Sequence, residues 1–190
     1  MFRVELNQRQ LFIDGYGVAA TDNMQWQMHQ PAKKGAVIRP QHGGLQTRRM
    51  PAWDPENEQY KIWVYSDGGD TVYGSEDGLH WRPDGKQNIP VCHALRDDAE
   101  IIHFRRYKGV LLNDGFVFSQ DGHRWRCAGG APIPSQDEGN LSFSSKSGIF
   151  VHTAKRGGTF GRSVALATSK DYKNWEDYGV VFQTDEADQE

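Results

Sequence analysis

The stretch "SEDGLHW" occupies Ser75–Trp81, "SQDGHRW" occupies Ser119–Trp125 and "SKDYKNW" occupies Ser169–Trp175. One pattern, S-x-D-x-x-x-W, therefore occurs three times, at spacings of 44 and 50 residues. Periods of this length suit propeller blades, each a four-stranded antiparallel sheet. Within the pattern, Asp accepts hydrogen bonds from the N–H groups of a tight turn. The Trp opens the next strand and brings a large apolar surface to bury. Asp77, Asp121 and Asp171 thus read as turn builders rather than as chemical groups.

Working outward, each copy divides into four strands, A to D. In the first unit these are Arg48–Trp53, Tyr60–Tyr65, Thr71–Ser75 and a strand after Trp81. In the second they are Ala99–Phe104, Gly109–Asn113, Gly115–Ser119 and a strand from Trp125. In the third they are Asn140–Ser145, Ile149–Lys155, Arg162–Thr168 and Trp175–Phe182. Val, Ile, Phe, Tyr and Trp dominate these segments, as half-buried strands require. The fold expected is all-β, a partial propeller of about three blades. Residues 1–47 supply N-terminal strands and a connector, 48–92, 93–135 and 136–184 the blades, and 185–190 the start of another. Propellers close with roughly 4–8 blades, so further blades or another chain are expected to complete the ring.

Composition narrows the function. A length of 190 residues allows one domain with a real core. The net charge of −3 leaves no electrostatic footprint for nucleic acid. Mean hydropathy is −0.74 and no long apolar run occurs, so no membrane partner is expected. The N-terminus lacks the apolar region of a signal peptide, which points to the cytoplasm. Cys92 and Cys127 have no CxxC partner and are expected as free buried thiols. The seven histidines show no ligand spacing, so no metal or cofactor is expected, although oxygen-rich loops would suit a structural calcium.

Antiparallel order puts the A–B and C–D hairpins on one face. The B–C loops and the D-to-A connectors lie on the other. On this parse the connectors are acidic at one recurring point: "RDDAE" with Asp98, "SQDEGN" with Asp137, Glu138 and Asn140, and "TDEADQE" at the end. Arg48 and Arg49 open the first blade, and Arg156 and Arg162 flank a B–C loop. Glycoside hydrolysis needs a carboxylic acid and a carboxylate flanking the bond, about 6.5–9.5 Å apart in inverting enzymes. Asp98, Asp137 and Glu138 are accordingly the candidate catalytic acids. Arg49, Arg156, Arg162 and Asn140 are the candidate sugar-binding residues.

A family resemblance adds to this reading. "LFIDGYGV" (Leu11–Val18), "HQPAKKGAVIRP" (His29–Pro40), "WDPENEQYKIWVY" (Trp53–Tyr65) and the stretch from Arg162 to Glu190 resemble a bacterial group of family 43/32-like glycoside hydrolases. The resemblance implies a five-bladed β-propeller that binds or cleaves carbohydrate in a funnel. It also implies three carboxylates on the first strands of successive blades. This sequence departs from that pattern, because Arg48 and Arg49 stand where the first blade would place an Asp. Asp14 is the one early carboxylate within a family-like motif; it either reaches the funnel or holds a turn. Two alternatives stay open. One is a non-catalytic carbohydrate-binding or structural propeller with exposed aromatic platforms. The other is a sialidase-like propeller, whose arginines would clamp a carboxylate.

Overall fold

The computed structural model describes residues 6, 11, 14–40, 43–67, 69–91, 93–111, 113–137 and 139–189. Glu138 and Cys92 lie outside the described residues. The chain divides into two compact units, residues 1–33 and 34–190. In the first, the Asp14 carboxylate accepts the Tyr16 N–H at 2.8 Å, and the Val18 N–H bonds the Gly15 carbonyl. Asp14 therefore holds a tight turn of its own segment.

The second unit is built from antiparallel strands in three sheets. Sheet 1 contains β1 (Leu45–Gln46), β2 (Ala52–Asp54), β3 (Gln59–Ser66), β4 (Thr71–Ser75) and β5 (Arg82–Lys86). Both β1 and β2 pair with β3, and residues 47–51 leave the ladder between them. Sheet 2 contains β6 (His93–Arg96), β7 (Tyr107–Leu111), β8 (Gly115–Ser119) and β9 (Trp125–Cys127). Sheet 3 contains β10 (Gly139–Ser144), β11 (Ile149–Gly158), β12 (Gly161–Ser169) and β13 (Glu176–Phe182). Strand β6 packs against both β2 and β10, so the first strands of the three sheets lie side by side.

Two apolar clusters join the sheets. Trp63, Val72, Ala94, Tyr107, Val117 and Trp125 fill the space between sheets 1 and 2. Leu95, Val110, Phe116, Leu141, Phe150 and Tyr172 fill the space between sheets 2 and 3. Burying each large side chain fully contributes about 1.5–3 kcal/mol relative to exposure. Sheet 2 is thus covered on both faces. One face of sheet 3 keeps Phe160, Val164, Tyr178, Val180 and Phe182 exposed.

The repeated motif performs two tasks. Ser75, Ser119 and Ser169 each accept a backbone N–H three residues ahead, at 2.9 Å. Asp77, Asp121 and Asp171 each accept two turn N–H groups at 2.8–2.9 Å. Such bonds favour the ionised carboxylate, and the turn N–H groups hold Asp77 and Asp171 well below the usual carboxylate range. Each later turn then docks on the preceding sheet. Trp63 Nε1 donates to the Gly122 carbonyl at 2.8 Å, and Lys61 Nζ to the Asp121 carbonyl at 3.1 Å. Arg105 likewise donates to the Asp171 carbonyl, and the Tyr172 hydroxyl to Gly109.

Three expectations are corrected here. The first strand of sheet 2 is His93–Arg96, not Ala99–Phe104. The alternation of "AEIIHF" imitates a strand, yet Ile101 is 87% exposed and His103–Arg105 form a short 3-10 turn. Lys108 Nζ holds that loop by donating to Asp97, Glu100 and the Arg105 carbonyl. The tail Glu186–Gln189 is another 3-10 turn rather than the start of a strand. Cys127 is free, as expected, but exposed rather than buried.

Candidate functional site

Strand direction assigns each polar group to one end of the sheets. The A–B and C–D turns share the hairpin end, and the connectors share the other. The shift of the second inner strand moves Asp98 out of a connector and into the A–B loop after β6. At about 3.3 Å per residue, β6 separates His93 from that loop. The Asp98 carboxylate there accepts Arg96 Nε at 2.7 Å. Asp98 therefore does not stand at the connector end with Asp137, and no contact among the described residues joins the two.

Charges at the hairpin end are used up internally. Asp54 is 2% exposed and accepts Arg96 Nη1 at 2.9 Å, the Glu56 N–H and Asn57, with Lys61 Nζ at 3.4 Å. Burial works to raise its pKa. Hydrogen bonds from Asn57 and Tyr107, with the Lys61 and Arg96 charges, outweigh burial and lower it. Burial pushes the Tyr107 hydroxyl upward. Lys108 forms the matching network one sheet on, with Asp97 at 2.9 Å and Glu100 at 3.1 Å. These networks lock neighbouring sheets together.

The connector end is different. Arg48 and Arg49 project from the break between β1 and β2. Asp137 precedes β10, Asn140 lies on β10, and His152 and Lys155 lie on β11. The Asp137 carboxylate lies 3.6 Å from Arg48 Nη2 and 3.2 Å from Lys155 Nζ. Arg49 Nη1 donates to Asn140 Oδ1 at 3.3 Å. The Asn140 carbonyl accepts His152 Nδ1 at 3.0 Å. A carbonyl only accepts, so Nδ1 carries the proton and Nε2 presents a lone pair. That Nε2 is buried without a partner, as are both ring nitrogens of His93. His93 is 2% exposed, and each buried polar group left unpaired costs about 1–3 kcal/mol. Burial first, then the charges of Arg48, His152 and Arg49, push His93 down to about 4. Burial lowers His152 as well. Both imidazoles are thus neutral near pH 7, the form that can donate and accept at once.

The other expected binding residues fall around this cluster. Arg162 lines a cavity of about 230 Å³ with Asn140, Thr153, Lys155 and Ser163. Arg49 lines a second, of about 160 Å³, with Trp53, Leu95, Arg96 and Asp98. The Arg49–Asn140 bond joins the walls of the two. Arg156 is committed elsewhere: its guanidinium forks onto Asp177 at 2.6 and 3.2 Å and donates to the Pro134 carbonyl. Among the described residues, no three His, Cys, Asp or Glu side chains are grouped to hold a metal ion. His93 and His152 were not expected in the site. Their scattered positions give no motif, and only the pairing of β6 with β7 and of β10 with β11 turns them inward.

No family model and no curated protein matches this chain. Among solved structures, it is similar to an endo-1,4-beta-xylanase from Bacteroides thetaiotaomicron VPI-5482. The TM-score is 0.48 at 16% identity, over 73% of this chain and 56% of that one. A "putative glycoside hydrolase" from Parabacteroides distasonis ATCC 8503 matches with a TM-score of 0.25 at 16% identity, over 72% of this chain and 33% of that one. The chain thus spans just over half the length of the first and a third of the second.

Proposed function

We propose that the three sheets are blades of a β-propeller of the glycoside hydrolase type, and that carbohydrate is engaged at the connector end of the inner strands. The observation that carries this reading is the convergence there of Arg48, Arg49, His93, Asp137, Asn140 and His152 from all three sheets. Sugars are recognised by dense, directional hydrogen bonding. Neutral imidazoles, an amide and guanidinium groups supply both donors and acceptors for it. The packing of β6 between β2 and β10 supports the propeller, because inner strands meet at the axis of such a ring.

In this reading Asp137 is the carboxylate that takes a proton from the attacking water or orients a sugar hydroxyl. Arg48 and Lys155 fix its position. Glu138 is the proposed acid partner, and Asp98 has no part in the step. Incubation with a panel of aryl glycosides, alongside an array of immobilised glycans, tests the reading. Turnover that Asp137→Asn abolishes without altering the melting temperature supports hydrolysis. Failure to bind or cleave any glycan contradicts the carbohydrate assignment.

A second reading is favoured by one observation: Asp137 is the one carboxylate of this cluster among the described residues, and two cations hold it. That arrangement suits a carbohydrate-binding propeller without turnover. Array binding with no hydrolysis of any aryl glycoside distinguishes it.

A further inference from the structure

We infer that the connector-end cluster selects sugars bearing a carboxylate, so that its ligand is an acidic oligosaccharide built from hexuronic acid residues. The inference rests on the carbohydrate reading above and names the class of sugar. Two independent features carry it.

The first is charge. Arg48, Arg49 and Lys155 supply three cations against the single carboxylate of Asp137 within the cluster. The other nearby acids are engaged elsewhere. Asp177 is forked by Arg156, and Asp67 accepts the Gly44 N–H at 2.9 Å and lines a separate cavity. A neutral sugar would leave the cationic surplus uncompensated, whereas one carboxylate per sugar residue offsets it.

The second is the unmet hydrogen bonding of His93. This imidazole is almost wholly buried, has no partner at either ring nitrogen and lies within the field of Arg48 and Arg49. A neutral ring needs one acceptor for its N–H and one donor for its lone pair. A carboxylate oxygen beside a sugar hydroxyl provides both. The free Nε2 of His152 is a second acceptor for a hydroxyl. Arg49 is bonded to Asn140 through Nη1, and its planar guanidinium matches the two oxygens of a carboxylate. Burial lowers the pKa of Arg49, the sign of a cation that gains from an anionic partner.

Calorimetric titration of the chain with trigalacturonate, its trimethyl ester and xylotriose tests the inference. The ester keeps shape and hydroxyls but removes the charge. The expected result is binding of trigalacturonate at least tenfold tighter than of the ester, with a preference that shrinks as salt rises. Arg49→Gln is expected to reduce that acid-over-ester ratio to about one, and His93→Leu to weaken trigalacturonate binding, each with an unchanged melting curve. Ester or xylotriose binding as tight as the acid overturns the carboxylate preference while leaving the carbohydrate reading intact. If none of the three binds, both readings fall. The wild-type ratio alone decides the matter should either variant fail to fold.

Discussion

Asp54 sits at the hairpin end between Lys61 and Arg96, with every partner in place. His93 sits at the connector end near Arg48 and Arg49, with neither ring nitrogen bonded. Both are nearly inaccessible, and both belong to the same layer of inner strands. The first is a finished network, whose bonds join one sheet to the next. The second is unfinished, and its missing partners are what a ligand supplies. Buried polar groups that satisfy one another hold a fold together. Buried polar groups left waiting mark the place where the fold meets another molecule.

The largest expected effect tests the finished end. Asp54→Ala leaves the Lys61 and Arg96 charges buried without their carboxylate. Loss of one partner of a buried pair costs about 3–5 kcal/mol. Chemical denaturation should show a loss of that size, or no soluble protein. A loss below about 1 kcal/mol would show that the network adds nothing to sheet docking.

A smaller effect probes the packing between sheets 1 and 2. A Cβ on Gly109 would stand 2.6 Å from Val91 Cγ1 and 3.2 Å from the Trp125 ring. Gly109→Ala should therefore cost about 1–3 kcal/mol through overpacking. Thermal unfolding measures it, and an unchanged melting temperature would mean that the two sheets part easily.

The smallest effect on stability is expected at the unfinished end. His93→Leu removes a ring that makes no hydrogen bond, so stability should stay within about 1 kcal/mol of the parent or rise. Its signature is in the pH dependence. The folded pKa of His93 is about 4, below the ordinary 6.5. Below pH 6.5 the unfolded chain takes up a proton that the folded protein refuses. Stability therefore falls as pH drops from 6.5 toward 4. His152 shifts in the same direction. Carboxylates such as Asp54 and Glu100 have lowered pKa values, so their stabilisation is lost at lower pH still. Denaturation at a series of pH values should show a shallower slope between 6.5 and 4 in His93→Leu. An unchanged slope would mean that His93 does not titrate as a buried group.

The repeat made most of this architecture legible. Ser75, Ser119 and Ser169 mark the ends of β4, β8 and β12 because a turn that needs a serine, an aspartate and a tryptophan advertises itself in sequence. The inner strand of sheet 2 was hidden, since "HALR" is short and polar at both ends while "AEIIHF" looks more like a strand. That shift carried Asp98 to the wrong end. Arg49, Asp137 and Asn140 were placed correctly at the connector end because the third unit, with its long strands, leaves no room for a shifted register. The two buried histidines could not be found from spacing, because His93 and His152 meet only through the packing of different sheets.

The central claim is that the connector end, and not the hairpin end, is where this protein meets carbohydrate. Proton NMR of the imidazole Cε1–H groups, recorded while trigalacturonate or xylotriose is added, tests it directly. His80 and His123 lie in the hairpin-end turns and serve as internal controls. The account predicts saturable shifts at His93 and His152 with the two control resonances unmoved. Shifts at His80 or His123 with His93 and His152 unchanged would contradict it.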